Sequence, residues 1–352
     1  MEQNRSMELM DVSDRELKML SQVLNKYNIL NFKAQRARSA YKIITDKDIY
    51  CLKRMKHGGR KPRNGYALVT ELKKKDFKNI ASYIKTKDNN YYVKENGFIF
   101  YLTEWINGEE CSLDSISETV NCVKLLAKFH IASSSIDMSN IIVENNLKNW
   151  PKIFISNLHG LENFKKAVNR KKLVTEFDSI YMEYIDNLYH RGMVAINILN
   201  KSNYYKLSKK AATEKTICHD SFYYQNIIKK DNDYYLIDLD SIIIDLQIND
   251  LGKFIRRLMY KKSYKWDFDK AKYIIEAYND IKPLTKDELE VMLALIVFPH
   301  KFWKLGKKRY IKHKHWPESK YMSKLSKIIK YNDLQDLFVD KYIDYLNSIT
   351  EE

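Results

Sequence analysis

Apolar positions recur at helical spacing through Leu17, Leu20, Val23, Leu24 and Tyr27, and Ser13 with Glu16 forms an S-x-x-E capping box ahead of them. The period then shortens to two. AYKIIT at 40–45 and IYCLKRM at 49–55 read as strands joined by the polar turn Asp46, Lys47, Asp48, a hairpin. KHGGRKPRNG at 56–65 reads as a basic Gly/Pro loop, followed by a helical stretch over 66–75. YYVKE at 91–95 and FIFYLTEW at 98–105 flank Asn96-Gly97, the strongest short hairpin signal.

Beyond Gly108 the spacing becomes helical. Ser115 and Glu118 read as the cap of a helix through Val120, Val123, Leu126, Ala127 and Ile131; Phe177, Tyr181, Tyr184 and Leu188 mark another. One strand pair interrupts them, QNIIKK and YYLIDLD around the polar turn 231–233. Thr285 and Glu288 cap LEVMLALIVF, which Pro299 ends or kinks. There is no internal repeat and no low-complexity linker. The order predicts an α+β, bilobal architecture, and it resembles that of a kinase-type fold. Residues 1–103 form a small lobe of a helix and antiparallel sheet, and residues 104–352 a helical lobe carrying a functional hairpin at 217–240.

Composition changes this picture little. With 45% apolar residues in 352, the chain can bury a sizeable core. Its net charge of +16 would draw nucleotides, acidic proteins, anionic surfaces or nucleic acid without choosing among them. The lysines are spread along the chain and no nucleic-acid recognition motif is present, so a solvated lysine-rich surface is the plainer reading. Cys51, Cys111, Cys122 and Cys218 show no CxxC pairing, which argues against a zinc ribbon or dense disulfide framework and for synthesis in a reducing compartment. The N-terminal stretch is charged throughout, without the apolar centre of a signal peptide, and the run 292–298 is too short to span a bilayer. These features predict a soluble protein made in the cytoplasm.

The chemistry concentrates in two places. Ile49, Cys51 and Lys53 share one face of their strand. A lysine on an apolar face is costly to bury without an anion. Lys53 therefore fits the phosphates of ATP, with Cys51 covering the adenine and Glu71 on the next helix orienting Lys53; the other reading is an edge strand with Lys53 exposed. In ICHDSFYYQN at 217–226 and the following YYLIDLD, Asn226 and Asp238 supply an amide oxygen and a carboxylate suited to magnesium. Strand alternation would put Asp240 on the same face as Asp238, as a second ligand or a turn cap. Cys218 and His219, being adjacent, would diverge rather than form a nucleophilic pair, and His313 with His315 lacks further metal ligands.

Together these segments resemble the aminoglycoside phosphotransferase and choline kinase superfamily, and more closely its spore coat protein CotS family. The resemblance is carried by AYKIITDKDIYCLKRM, the hinge-like FYLTEWINGEEC with Glu104, LLAKFHIAS, ICHDSFYYQNII, YYLIDLD, DLGKFIRRLM and FPHKFWKL. It implies ATP and Mg2+ as cofactors, a spore-coat location and other coat proteins as partners. The superfamily's catalytic loop is H-x-D-x-x-x-x-N. Anchored on His219 and Asn226, the base position holds Ser221, with Asp220 one residue early, and serine is not meaningfully ionised at neutral pH. Where kinases present a glycine-rich loop, this chain has Arg36, Arg38, Ser39 and Ala40. The expectation is a coat protein whose nucleotide and metal site survives beside an altered base. The other reading is an active phosphotransferase acting on a hydroxyl, with Asp220 re-aimed.

Overall fold

The computed structural model describes residues 9–134 and 136–349; residues 1–8, where the N-terminal stretch read for a leader begins, lie outside the described residues. The chain forms two compact units, one built from the chain up to Asn145 together with Lys215–Ile244, the other from Asn146–Glu214 together with Asp245 onward.

In the first unit, β1 (Leu9–Asp11) precedes α1 (Asp14–Asn25), which starts with the expected Ser13/Glu16 capping box. The sheet continues through β2 (Lys33–Ala37), β3 (Ala40–Ile44) and β4 (Ile49–Met55). After α2 (Arg60–Lys74) come β5 (Tyr83–Ile84), β6 (Val93–Glu95) and β7 (Phe98–Glu104), giving the order β1-β2-β3-β4-β7-β5 with β6 also on β7. All of these pairings are antiparallel. Asn96 and Gly97 both take positive φ (48° and 75°), as a tight hairpin turn between twisted strands requires. Leu20, Val23 and Leu24 of α1 pack with Tyr41, Ile43, Leu52, Phe100 and Leu102 in a core beneath the sheet.

Three differences from the sequence reading have local causes. The loop read over 56–65 is half helix, because Pro62 falls in the first turn of α2, where its missing N–H is not needed. Gly65 is an interior helical glycine, since a Cβ there would lie 2.3 Å from the Tyr83 hydroxyl. The third lies in β8 (Glu109–Glu110) and α3 (Ile116–Ser133). Ser115 makes no side-chain cap to α3; Glu118 instead accepts from Leu113 N at 2.8 Å and Ser112 Oγ at 3.0 Å.

The unit closes with short strands β9 (Glu144–Asn145), β10 (Ile217–Cys218), β11 (Ile227–Lys230), β12 (Asp233–Leu236) and β13 (Ile243–Ile244). They form two small sheets, β10-β13-β9 and β12-β11-β8. All four cysteines are free thiols, although Cys111 and Cys122, eleven residues apart, bring their sulfurs to 3.6 Å.

The second unit is helical: α4 (Trp150–Asn169), α5 (Glu176–Lys201), α6 (Tyr204–Glu214), α7 (Ile248–Met259), α8 (Phe268–Asn279), α9 (Lys286–Val297), α10 (His300–Gly306), α11 (Glu318–Ile329) and α12 (Asn332–Ser348). The Thr285/Glu288 box caps α9 as expected, and Thr175 with Asp178 forms a further box ahead of α5. Among the described residues no helix is long and apolar enough to cross a membrane.

Candidate functional site

Strand β4 lies between β3 and β7, so Lys53 stands on an interior strand, opposite Ala40 on one side and Tyr101 on the other. That removes the edge-strand reading. The side chain is 20% exposed, and its ammonium pairs with the Asp238 carboxylate, which is 33% exposed. Tyr101 lies beside it, its ring centroid 5.8 Å from Lys53 Nζ, and stacks on Tyr83 at 5.6 Å with the rings 4° from parallel. Burial alone would lower the Lys53 value, but the carboxylates of Asp238 and Asp240 outweigh it and hold the ammonium above its ordinary range. At Asp238, burial would raise the carboxyl, and the Lys53 charge and hydrogen bond turn the balance downward.

The loop 217–226 supplies the second wall. His219 is fully buried, with Nε2 3.1 Å from the carbonyl of Ile237. A carbonyl only accepts, so Nε2 carries the proton, and in the neutral ring Nδ1 is an acceptor. Ser221 Oγ lies 3.1 Å from that Nδ1. Asn226 Nδ2 donates to the Ser221 carbonyl at 2.9 Å and to its Oγ at 3.3 Å. The residues that grip Ser221 are therefore the two that anchored the sequence register. Asp220 takes a left-handed backbone, φ 62°, which turns the chain between His219 and Ser221. The amide oxygen of Asn226 accepts no hydrogen bond from a described residue. Its backbone carbonyl accepts from Ile237 N at 3.1 Å, which brings Asn226 beside Asp238.

The remaining residues are placed differently from their expected roles. Strand β12 ends at Leu236 and Asp238 has φ 70°, so Asp238 and Asp240 do not share a face by strand alternation; the loop, not the pleat, brings them together. Both oxygens of Asp240 are engaged, Oδ2 by the Tyr101 hydroxyl at 2.7 Å and Oδ1 by Ser241 Oγ at 3.0 Å, and burial with the neighbouring Asp238 raises its carboxyl. Cys51 faces the same side as Lys53, its thiol pushed up by burial. Glu104 is exposed and binds the backbone and hydroxyl of Ser82 at 2.9 and 2.6 Å.

Glu71 does not orient Lys53. It pairs with Lys74 one turn along α2 at 2.5 Å, while Asp238 takes the lysine. Accordingly, Glu71→Gln is expected to leave the melting temperature within about 1 °C of wild type and any nucleotide-induced shift unchanged, measured by thermal denaturation with and without MgATP.

Two features escaped the sequence reading. Tyr101 announced itself only as a polar-tipped ring within the apolar run FIFYL. At the β2–β3 turn, Arg38 sits at φ 55° and grips Glu110 in a fork, Nη1–Oε1 2.5 Å and Nη2–Oε2 2.7 Å, a long-range pair that no local pattern signals.

Antiparallel sheet first, helices after, and a lysine–aspartate pair beside a histidine-anchored loop together define a kinase-like phosphotransferase fold. Solved structures match it closely. An aminoglycoside phosphotransferase from Alicyclobacillus acidocaldarius superposes with TM-score 0.81 at 16% identity, over 94% of this chain and 96% of that one. Spectinomycin phosphotransferase in complex with ADP and spectinomycin gives 0.61 at 15%, over 93% and 98%. Amicoumacin kinase with AMP-PNP and Ca2+ gives 0.61 at 10%, over 94% of each. At these identities the likeness shows the fold. The family model described as Spore coat putative kinase YutH matches residues 21–342, and the chain belongs to that family. Spore coat protein S of Bacillus subtilis (strain 168) is 26% identical over 265 residues, 74% of this chain and 75% of that protein.

Proposed function

We propose that the protein is a spore coat component, of the kind represented by spore coat protein S, that keeps a nucleotide and metal site in a kinase-like fold whose catalytic loop lacks the usual carboxylate base. The observation that carries this reading is the pairing of Lys53 with Asp238. A partly buried cation and anion, facing each other across two chain segments, are the groups that would receive a triphosphate and its metal. The relatives' complexes with ADP and AMP-PNP support it.

The residues fit magnesium in a limited way. Among the described residues no cluster of three His, Cys, Asp or Glu could hold a metal, so the protein offers the Asp238 carboxylate and the Asn226 amide oxygen. That suits an ion which keeps several waters and takes its other ligands from phosphates. When bound, the ion neutralises phosphate charge. Lys53 holds the α- and β-phosphates, Cys51 lines the nucleotide side of β4, and Tyr101 with Ser241 fixes Asp240 as a support for the Asp238 loop. Ser221 occupies the base position, held by His219 and Asn226, and Asp220 stands beside it.

A second reading is favoured by one distance. Ser221 Oγ, 3.1 Å from His219 Nδ1, could take the proton of an acceptor hydroxyl while handing its own to that imidazole nitrogen, so that the hydroxyl oxygen bonds the γ-phosphorus as ADP leaves, a route to slow phosphoryl transfer. Partners under either reading are nucleotide and other coat proteins.

The test is a thermal shift with ATP, with and without Mg2+. Stabilisation of a few degrees at about a hundred times the dissociation constant is expected, larger with the metal. No shift at millimolar ATP would remove both readings.

A further inference from the structure

The lysines are spread along the sequence, but in the helical unit one stretch gathers them. Helix α10 runs into a single π turn, Lys307–Ile311, in which Lys312 N donates to the Lys307 carbonyl at 2.9 Å. The chain then folds back through 312–316 to α11, and the buried Tyr321 pins it. The Tyr321 hydroxyl lies 2.8 Å from the Lys314 carbonyl and 3.2 Å from that of Lys308, which also accepts from Lys314 N at 3.0 Å. Trp316 packs on Tyr321 with ring centroids 5.2 Å apart. The ammoniums of Lys320, Lys308 and Lys324 stand 4.8, 4.9 and 5.4 Å from the Trp316 centroid, so any two lie within about 10 Å, close enough to repel through salt.

These charges are held in place without being neutralised, because an aromatic ring attracts an ammonium and leaves its charge intact. Burial first, and then the charges of Lys304, Lys324, Lys314 and Lys312, hold the Lys308 ammonium below its ordinary range. Among the described residues, none of these lysines lies within ion-pair distance of a carboxylate. Glu318, the one acidic residue between Lys304 and Lys324 in sequence, is taken by Arg309 at 2.8 Å. The Arg309 guanidinium in turn lies over the rings of Tyr321 and Phe177, 4.7 and 5.2 Å from their centroids.

We propose that this face, centred on Lys308, Lys320 and Lys324 around Trp316, docks an acidic polypeptide segment, a run of aspartate and glutamate on a partner protein. What the face lacks selects that partner. Trp316 has Tyr321 on it and three ammoniums over it, so it offers no open ring on which a nucleic-acid base would stack. Arg309, already forked to Glu318 and covered by rings, reads no base edge. Ile311, 55% exposed, is a lone apolar side chain and too little to anchor the face in a bilayer. A second copy of the chain is disfavoured by the net charge of +16. Compact ammoniums at fixed places remain, and separate carboxylates can each take one and relieve their mutual repulsion. The face uses no residue of the nucleotide site and does not depend on that reading.

The measurement is fluorescence anisotropy of a fluorescein-labelled oligoglutamate titrated with the full chain at physiological salt. Wild type is expected to bind, less tightly as salt is raised. The double variant Lys320→Gln with Lys324→Gln should bind about 10-fold more weakly, the scale of losing two surface charge pairs. A control double variant, Lys206→Gln with Lys209→Gln, removes the same charge from exposed positions on α6 and should bind as wild type does. All four lysines are exposed, so neither variant should unfold the chain. No binding by wild type, or equal weakening in the two double variants, would overturn the proposal, the second because it would reduce the attraction to net charge. Duplex DNA or phosphatidylserine vesicles bound more tightly than oligoglutamate, and released by the Lys320 and Lys324 changes, would give the face to nucleic acid or membrane instead.

Discussion

Asp238→Asn is expected to weaken MgATP binding by about 30-fold or more, the scale of removing one partner of a desolvated charge pair. The amide carries no charge to neutralise the Lys53 ammonium and is a weaker ligand for a hard cation than the carboxylate. Without nucleotide the variant should also be less stable, by about 1–3 kcal/mol; the figure sits below that for a fully buried pair because a third of Asp238 remains open to solvent. Calorimetric titration with MgATP and urea denaturation read the two effects separately. The sign with pH follows from the downward displacement of the Asp238 carboxyl. Its contribution is complete above the ordinary aspartate range and disappears as the pH falls through its lower folded value. Wild type and variant stabilities should therefore converge in acid. Unchanged nucleotide affinity in Asp238→Asn would remove this carboxylate from the metal site.

Ser221→Asp should produce the largest gain. It returns a carboxylate to a position already bracketed by His219 and Asn226, and a positioned base contributes about 10²–10⁴ in rate. ADP release from MgATP, to water or an added alcohol, is expected to rise by about 100-fold over wild type, with Ser221→Ala showing no gain. If Ser221→Asp binds MgATP and turnover stays flat, the base does not belong at this position. If wild type already turns over at a kinase-like rate, the Ser221–His219 contact acquires the catalytic part.

Local pattern carried much of this. The capping boxes at Ser13 and Thr285, the Asn96-Gly97 turn and the alternation around Lys53 each depend on residues within a few positions of one another, so they were legible in sequence. The register of His219 and Asn226 was legible as a spacing, and the structure gives it physical form in the bonds that both make to Ser221. What could not be read depended on backbone hand or on distant partners. The positive φ of Asp238 breaks an alternation that Leu236, Asp238 and Asp240 otherwise obey on paper. Glu71 had the right type and spacing to meet Lys53, but it pairs with Lys74 along its own helix, and Asp238 takes the lysine. Arg38 and Glu110 are 72 residues apart, and nothing in either neighbourhood names the other.

The first unit is made of two stretches of chain, with Asn146–Glu214 of the second unit between them in sequence. Lys53 and Asp238 are separated by 185 residues. During synthesis, the central strand of the sheet is therefore complete long before the carboxylate that neutralises its lysine has left the ribosome. Until the chain has grown past Ile244, the nascent sheet carries a cation without its partner and a small sheet without its last strand. Folding of the site is then governed by a late closure over long sequence distance, the slow kind of step. A chain stopped shortly before residue 238 would retain the hairpins and lose the feature that makes them a site.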